Sequence, residues 1–386
     1  MEIKGQQKPK PKKEREIKMK KLPVILIGLL ACLAIGVSTA QGQKYSLEDL
    51  GVMKGMEGSQ PTALNINGHV TGTAYKGGVT CTFFYDNVKK FMEDAGGVNS
   101  RGFGINSTNL VVGDSFFAGP IDASHAALFK GGVAVDLGVL KGQVYSRANS
   151  INAMGQVVGF SGAKRDSNQS RAFMWSGQTG MMDIGTLGGG YAQAYAINDA
   201  GVITGASQTQ GMGAMLTTHA FIYRQLSPSN QRMQDLGVLG GIFSSGMAIN
   251  NYNHVAGYST IKTNDGRVHA FFHDGRSMID LGSLGSVESA TDFSVALGVN
   301  NRDQVVGYTY LPTVGEIPLQ QVAFLWSRDS RTGGKMVNLN NLLNDTGKNY
   351  VLISATAINE YGQIVASAYD IYRGGVRSVL LTPVKQ

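Results

Sequence analysis

Short apolar runs separated by Gly and Asn follow one another along this chain, and their order repeats. Seven segments fit the pattern apolar-Asn-x-x-(Gly/Asn/Asp)-x-(Val/Ile)-x-(Gly/Ala). They open at Leu64-Asn65, Ile105-Asn106, Ile151-Asn152, Ile197-Asn198, Ile249-Asn250, Val299-Asn300 and Ile358-Asn359. Successive Asn residues lie roughly 40–60 apart, the length of one propeller blade. Each unit then carries an aromatic run: CTFFY at 81–85, HAALF at 125–129, RAFMW at 171–175, HAFIY at 219–223, HAFFH at 269–273, VAFLW at 322–326 and SVLLT at 378–382. An Asp-apolar-Gly segment follows, as in Asp136-Leu137-Gly138, Asp183-Ile184-Gly185, Asp235-Leu236-Gly237 and Asp280-Leu281-Gly282. Weaker forms are Asp94-Ala95-Gly96 and Asn338-Leu339-Asn340.

One unit therefore reads as four short strands. A small-residue strand leads into the Asn, whose turn tolerates positive φ, and a Val-Val-Gly return strand follows. After a variable loop come the aromatic strand, a short turn and the Asp-apolar-Gly strand. β-Branched and aromatic runs with no long 3.6-residue period specify an all-β chain. The pattern predicts a seven-bladed β-propeller of four-stranded antiparallel blades.

The two ends complete each other. The last unit stops after its aromatic-type strand, and the missing piece stands at residues 47–55, whose LEDLGVMKG parallels MQDLGVLGG at 233–241. The N-terminal strand is predicted to pair with the C-terminal strands and close the ring, which removes an open sheet edge. Two placements of the innermost strand stay open. Small residues before each Asn suit the crowded axis, whereas the variable loop is also a candidate for the crossover between blades.

Charge changes the picture in one place. Residues 1–21 carry nine Lys/Arg and three Glu, which is +6 of a formal +7, so the rest is near neutral and offers no basic field to nucleic acid. The apolar stretch 22–37 follows, then Ser38-Thr39-Ala40, the layout of a secretory signal cleaved after Ala40. This divides the chain into a leader at 1–40 and one propeller at 41–386, secreted or periplasmic, touching a membrane only if the leader stays on. Met19 is an alternative start, an uncleaved anchor an alternative fate, and Leu29–Cys32 a weak lipobox. Cleavage would leave Cys81 as the sole thiol, so stability is expected from packing rather than a disulfide.

The His-Ala-Phe strands, the 235–241 type of segment and the 197–205 type of turn resemble the HAF extracellular-repeat family, from Leu47 to Val384. Cys81, Arg171 and Val322 depart from its His, and Asn338 from its Asp. The resemblance implies an exported repeat protein without an assigned activity.

Candidate chemistry dissolves into the repeat. Gly113-Asp114-Ser115 has the look of an esterase nucleophile block, yet Gly159-Phe160-Ser161 and Gly205-Ala206-Ser207 occupy the same place in other units. His269 and His273 on a strand stand about 13 Å apart, too far for one zinc. His125, His219 and His269 recur in separate units, and so do Asp49, Asp94, Asp136, Asp183, Asp235 and Asp280. A blade-internal hydrogen bond suits the former and a turn beside Gly the latter. No catalytic, cofactor-binding or metal residue is assigned, and no cofactor is expected. Departures from the repeat fall in loops 162–170, 208–218, 261–267 and 311–321, then 328–335, 344–350 and 369–373, where Tyr369, Tyr372 and Arg373 suit a binding surface. Two functions fit. The first is a monomeric, noncatalytic binding or scaffold propeller recognising a protein or glycan. The alternative is an extracellular hydrolase or lyase acting on polysaccharide at one end of the axial channel.

Overall fold

The computed structural model describes residues 43–117, 124–163, 169–210, 217–263, 266–287, 289, 291–312, 320–329 and 333–384. Among them stand seven four-stranded antiparallel sheets, a seven-bladed β-propeller. Blades 1 to 6 cover 58–96, 98–136, 145–183, 188–235, 244–280 and 294–338, each a meander whose strand order follows the chain. Blade 7 takes three strands from 350–383 and its fourth from Tyr45–Asp49, in register from Tyr45 opposite Pro383 to Asp49 opposite Val379. The predicted clasp is present. The leader at 1–40 lies outside the described residues.

The first strands of consecutive blades contact one another all the way round, including Gly58–Leu64 against Tyr350–Ile358. The small-residue strand is therefore innermost. The variable loop joins second and third strands, and the segment after the Asp-apolar-Gly strand crosses to the next blade. Apolar clusters form between consecutive blades. Val158, Ala172 and Met174 of blade 3 pack with Ala192, Ile203 and Phe221 of blade 4. Leu50, Val365 and Leu380 pack with Val70, Phe83 and Tyr85 of blade 1. The aromatic strand thus supplies the filling between sheets. Phe83, Phe173, Phe221, Phe271 and Phe324 are fully buried, each stabilising by about 1.5–3 kcal/mol.

The Asn of every turn has two duties. Its Oδ1 accepts N–H bonds from its own turn, as Asn106 does from Thr108 and Leu110 at 3.1 and 3.0 Å. The residue three positions on has positive φ in all seven turns: Gly68, Asn109, Gly155, Gly201, Asn253, Asp303 and Gly362. The Nδ2 of each Asn donates to the carbonyl of the Asn in the next blade. Asn65 reaches Asn106, Asn106 reaches Asn152, Asn152 reaches Asn198 and Asn198 reaches Asn250, at 3.0–3.1 Å. Asn250 reaches Asn300, Asn300 reaches Asn359, and Asn359 returns to Asn65. Seven buried side chains form a closed hydrogen-bonded ring around one mouth of the axis. The variable loops and the crossovers lie at the opposite end, because each innermost strand runs from a crossover to an Asn turn.

Candidate functional site

The periodic side chains turn out to hold blades together. His125, His219 and His269 bond through Nδ1 to Asp136, Asp235 and Asp280 within their own blades, and Arg171 does the same with Asp183. Each Asp of the series also accepts the N–H two residues on, from Gly51, Gly96, Gly138, Gly185, Gly237 and Gly282, and Asn338 does so from Asn340. Ser115 is fully buried and accepts from the Val98 N–H at the start of the innermost strand of its own blade. Ser161 and Ser207 do the same for Leu140 and Leu187. It stands on a strand, not at a nucleophile elbow.

His269 has a further neighbour that the repeat does not explain. Its Nε2 lies 2.8 Å from Asp292, a buried carboxylate that also accepts from Arg267 and Ser283. Burial opposes protonation of this His, and the flanking Asp280 and Asp292 outweigh it and raise its pKa. Of the loops marked as variable, residues 164–168, 211–216, 264–265, 313–319 and 330–332 lie outside the described residues. Tyr372 is exposed, and Arg373 lies 3.7 Å from Asp49 against the clasp.

The innermost strands carry a feature the sequence pattern concealed. In every blade the pairing of first and second strands slips three residues before the Asn, at Thr62, Phe103, Asn149, Tyr195, Met247, Leu297 and Thr356. Each is the extra residue of a β-bulge, which bends the strand and re-aims the side chain. The same bulge brings a carbonyl of the first strand against the Gly of the second. A Cβ at Gly113, Gly159 or Gly205 would collide with the backbone oxygen of Arg101, Arg147 or Gln193, so only Gly fits there.

Burial alternates along these strands. In blades 2 and 3 the residues three and five before the Asn are Phe103 and Arg101, and Asn149 and Arg147. Phe103, Arg101 and Arg147 are partly exposed, whereas the small Gly102, Gly104, Ser146 and Ala148 around them are buried or packed against neighbours. With no strand inside them, the partly exposed side chains face the axial channel. The lining is lopsided. Blades 2 to 4 contribute Arg101, Phe103, Arg147, Gln193 and Tyr195, whereas blades 5 and 6 contribute Met247 and Leu297. Towards the variable-loop mouth the rings of Tyr145 and Phe160, Phe243 and Tyr258, and Phe293 and Tyr308 pair at 5.6–6.1 Å.

The charged groups of this wall are unequal. Arg101 pairs with Asp114 through Nε at 2.9 Å and through Nη2, and the Tyr145 hydroxyl donates to the same carboxylate at 3.2 Å. Burial disfavours the charge on Arg101, and Asp114 more than offsets it, so the guanidinium is held above its ordinary pKa. Arg147 stacks at 3.6 Å over the Phe103 ring, and its Nε is buried without a partner. Burial lowers its pKa. Burial also pushes the Tyr195 phenol far above its usual range, which keeps it protonated and donating to Gln193 Oε1 at 2.7 Å.

At the Asn mouth a cavity of about 380 Å³ is bounded by the ring itself, with Asp199 and Glu360 beside it. Both carboxylates are occupied by the ring: Asp199 accepts the Ala153 N–H and Glu360 the Asn301 N–H, each at 3.0 Å. Among the described residues no three His, Cys, Asp or Glu side chains group to hold a metal ion.

The match to known sequences begins at blade 4. Residues 189–374 match a family model described as a protein of unknown function, DUF3466. That stretch runs into blade 7 and contains Gln193 and Tyr195, whereas Arg101, Phe103 and Arg147 precede it. No curated protein matches the chain. Among solved structures, the chain is similar to the β-propeller domain of the Trilobed protease from Pyrococcus furiosus, described as having an open velcro topology. The TM-score is 0.52 at 7% identity, over 86% of this chain and 97% of that one, a likeness of fold alone. TolB from Acinetobacter baumannii follows at a TM-score of 0.44 and 10% identity, over 82% of this chain and 64% of that one.

Proposed function

We propose that this is an exported, noncatalytic binding propeller of the HAF-repeat kind, which takes a glycan or protein ligand at the channel mouth bearing the variable loops. One observation carries the reading. Almost every polar side chain in the repeat is spent on holding blades together, and identity varies where the bulge aims a residue at the axis. A wall of Arg, Phe, Tyr and Gln beside one of Met and Leu is a recognition surface of mixed character. The carboxylate at hand, Asp114, is committed to Arg101 and Tyr145, which leaves it unsuited to general acid or base work.

A glycan array and a pull-down with residues 41–386 test the proposal, using wild type beside Phe103→Ala and Tyr195→Ala. Ligand capture by wild type that both variants lose supports it. Capture untouched by either variant moves the site elsewhere, and turnover of a captured polysaccharide replaces binding with the hydrolase or lyase alternative. Export is tested separately by N-terminal sequencing of the extracytoplasmic protein, which should begin after Ala40.

A further inference from the structure

Arg147 carries an Nε that the fold buries without a hydrogen-bond partner. One blade back, at the same level of the innermost strand, Arg101 shows the satisfied case, with both oxygens of Asp114 engaged. Arg147 has no such acceptor. Among the described residues its Nε is buried with no hydrogen-bond partner, the rings of Phe103 and Phe160 lie 3.6 and 5.9 Å from the guanidinium, and the charge of Asp114 acts on it from a distance. A charged N–H taken out of water without an acceptor is costly. Arginine cannot escape the cost by losing its proton, because it stays charged at any ordinary pH. The guanidinium is a liability to the empty propeller and an asset only when something fills it.

The geometry says what fits. A guanidinium lying over a ring keeps its N–H groups in the plane parallel to that ring, directed at whatever approaches edge-on. The planar fork matches a carboxylate through two parallel bonds. Around it stand Tyr195 and Gln193 from the neighbouring blade, with the rings of Tyr191 and Tyr258 towards the mouth; these pairs are close enough that their charges would interact. Aromatic faces with neutral hydroxyl and amide groups complement a hydroxylated, C–H-faced ring.

We propose that Arg147 is the receptor for the carboxylate of an acidic sugar, a hexuronate unit of a glycan entering the channel from the variable-loop mouth, with Phe103 fixing the guanidinium for it. The assignment rests on the binding reading above and adds the ligand's charge and the residue that reads it.

The test uses trigalacturonate and its methyl ester, which share their rings and differ in charge, by calorimetric titration of residues 41–386. The acid is expected to bind and the ester to bind at least tenfold more weakly. Arg147→Gln should lose at least tenfold for the acid, and Arg147→Lys should fall between, having the charge without the fork. Without ligand, Arg147→Gln should melt at or above the wild-type temperature, whereas a merely structural arginine would lower it. No binding of the acid, equal binding of the ester, or an unchanged affinity in Arg147→Gln overturns the assignment. Arg147-dependent binding of an acidic peptide in place of the sugar also overturns it. In each case a ligand captured on the array and lost in Phe103→Ala would keep the channel as a binding site, so the two readings fail separately.

Discussion

The ring of asparagines invites a single-atom-group perturbation. Asn106→Asp keeps the oxygen that accepts from Thr108 and Leu110, and replaces the amide that donates to the Asn152 carbonyl. The side chain is 4% exposed, so water does not replace the lost bond. An unsatisfied buried carbonyl costs about 1–3 kcal/mol, and a carboxylate facing it adds to that. With an unfolding entropy of about 2.1 cal/mol/K per residue, a propeller of about 340 residues should lose roughly 1–4 °C of melting temperature. The pH dependence gives the sharper check. A protonated Asp carries a hydroxyl that can donate to the same carbonyl, so the folded state of the variant should hold its proton more tightly than the unfolded chain. The deficit relative to wild type is therefore largest at neutral pH and shrinks as pH falls towards the carboxylate range. Urea unfolding of both proteins from pH 4 to pH 7 reads the difference. A deficit that does not change with pH, or no deficit at all, would refute the ring as an energetic link between blades.

Removing residues 44–55 should be far more damaging. Tyr45, Leu47, Leu50 and Met53 are buried, and at about 1.5–3 kcal/mol each their loss approaches the whole stability of a typical domain. The truncated chain should lose its cooperative transition, and a peptide of residues 43–55 should restore it; an unchanged melting curve contradicts the clasp. His269 should stabilise the fold most at acid pH. Its folded pKa is raised, so its contribution is complete below the unfolded value of about 6.5 and is lost as pH rises through the folded value. His269→Gln should accordingly show its greatest stability deficit near pH 5.5 and its smallest near pH 8.5 in chemical unfolding. Cys81, whose thiol pKa is raised by burial and by Asp94, should react several-fold more slowly than free cysteine with a chromogenic disulfide at pH 8. A rate equal to that of free cysteine would place the thiol in solvent.

The blade count and the clasp were legible because whole landmarks recur in order, and the segment at 47–55 repeats one of them. The Asp series was legible for a chemical reason. An oxygen capping the N–H two residues on serves equally in Asp136 and Asn338. The same argument covered only half of Asn106. Its acceptor duty shows within the turn, and its donor duty is to a neighbour 46 residues away. A signal was present, since the seven ring positions are all Asn, whose amide accepts through its oxygen and donates through its nitrogen at once. The bulge was hidden because alternating small residues read as an even strand, and a slip in pairing leaves no mark in one strand alone. Arg147 was missed for that reason. It stands in a variable position of a strand assigned to packing, and its lack of a partner exists only in three dimensions.

Blade 7 also orders events in time. Tyr45 and Pro383 lie at opposite ends of the described chain and pair directly, as do the Gln43 side chain and the Val384 carbonyl, 341 residues apart. Until the final strand exists, the first has nothing to join, and the six complete blades form an arc with one raw margin. Contacts of such sequence separation are slow to form, so closing the ring is expected to limit the rate at which the molecule reaches its native state.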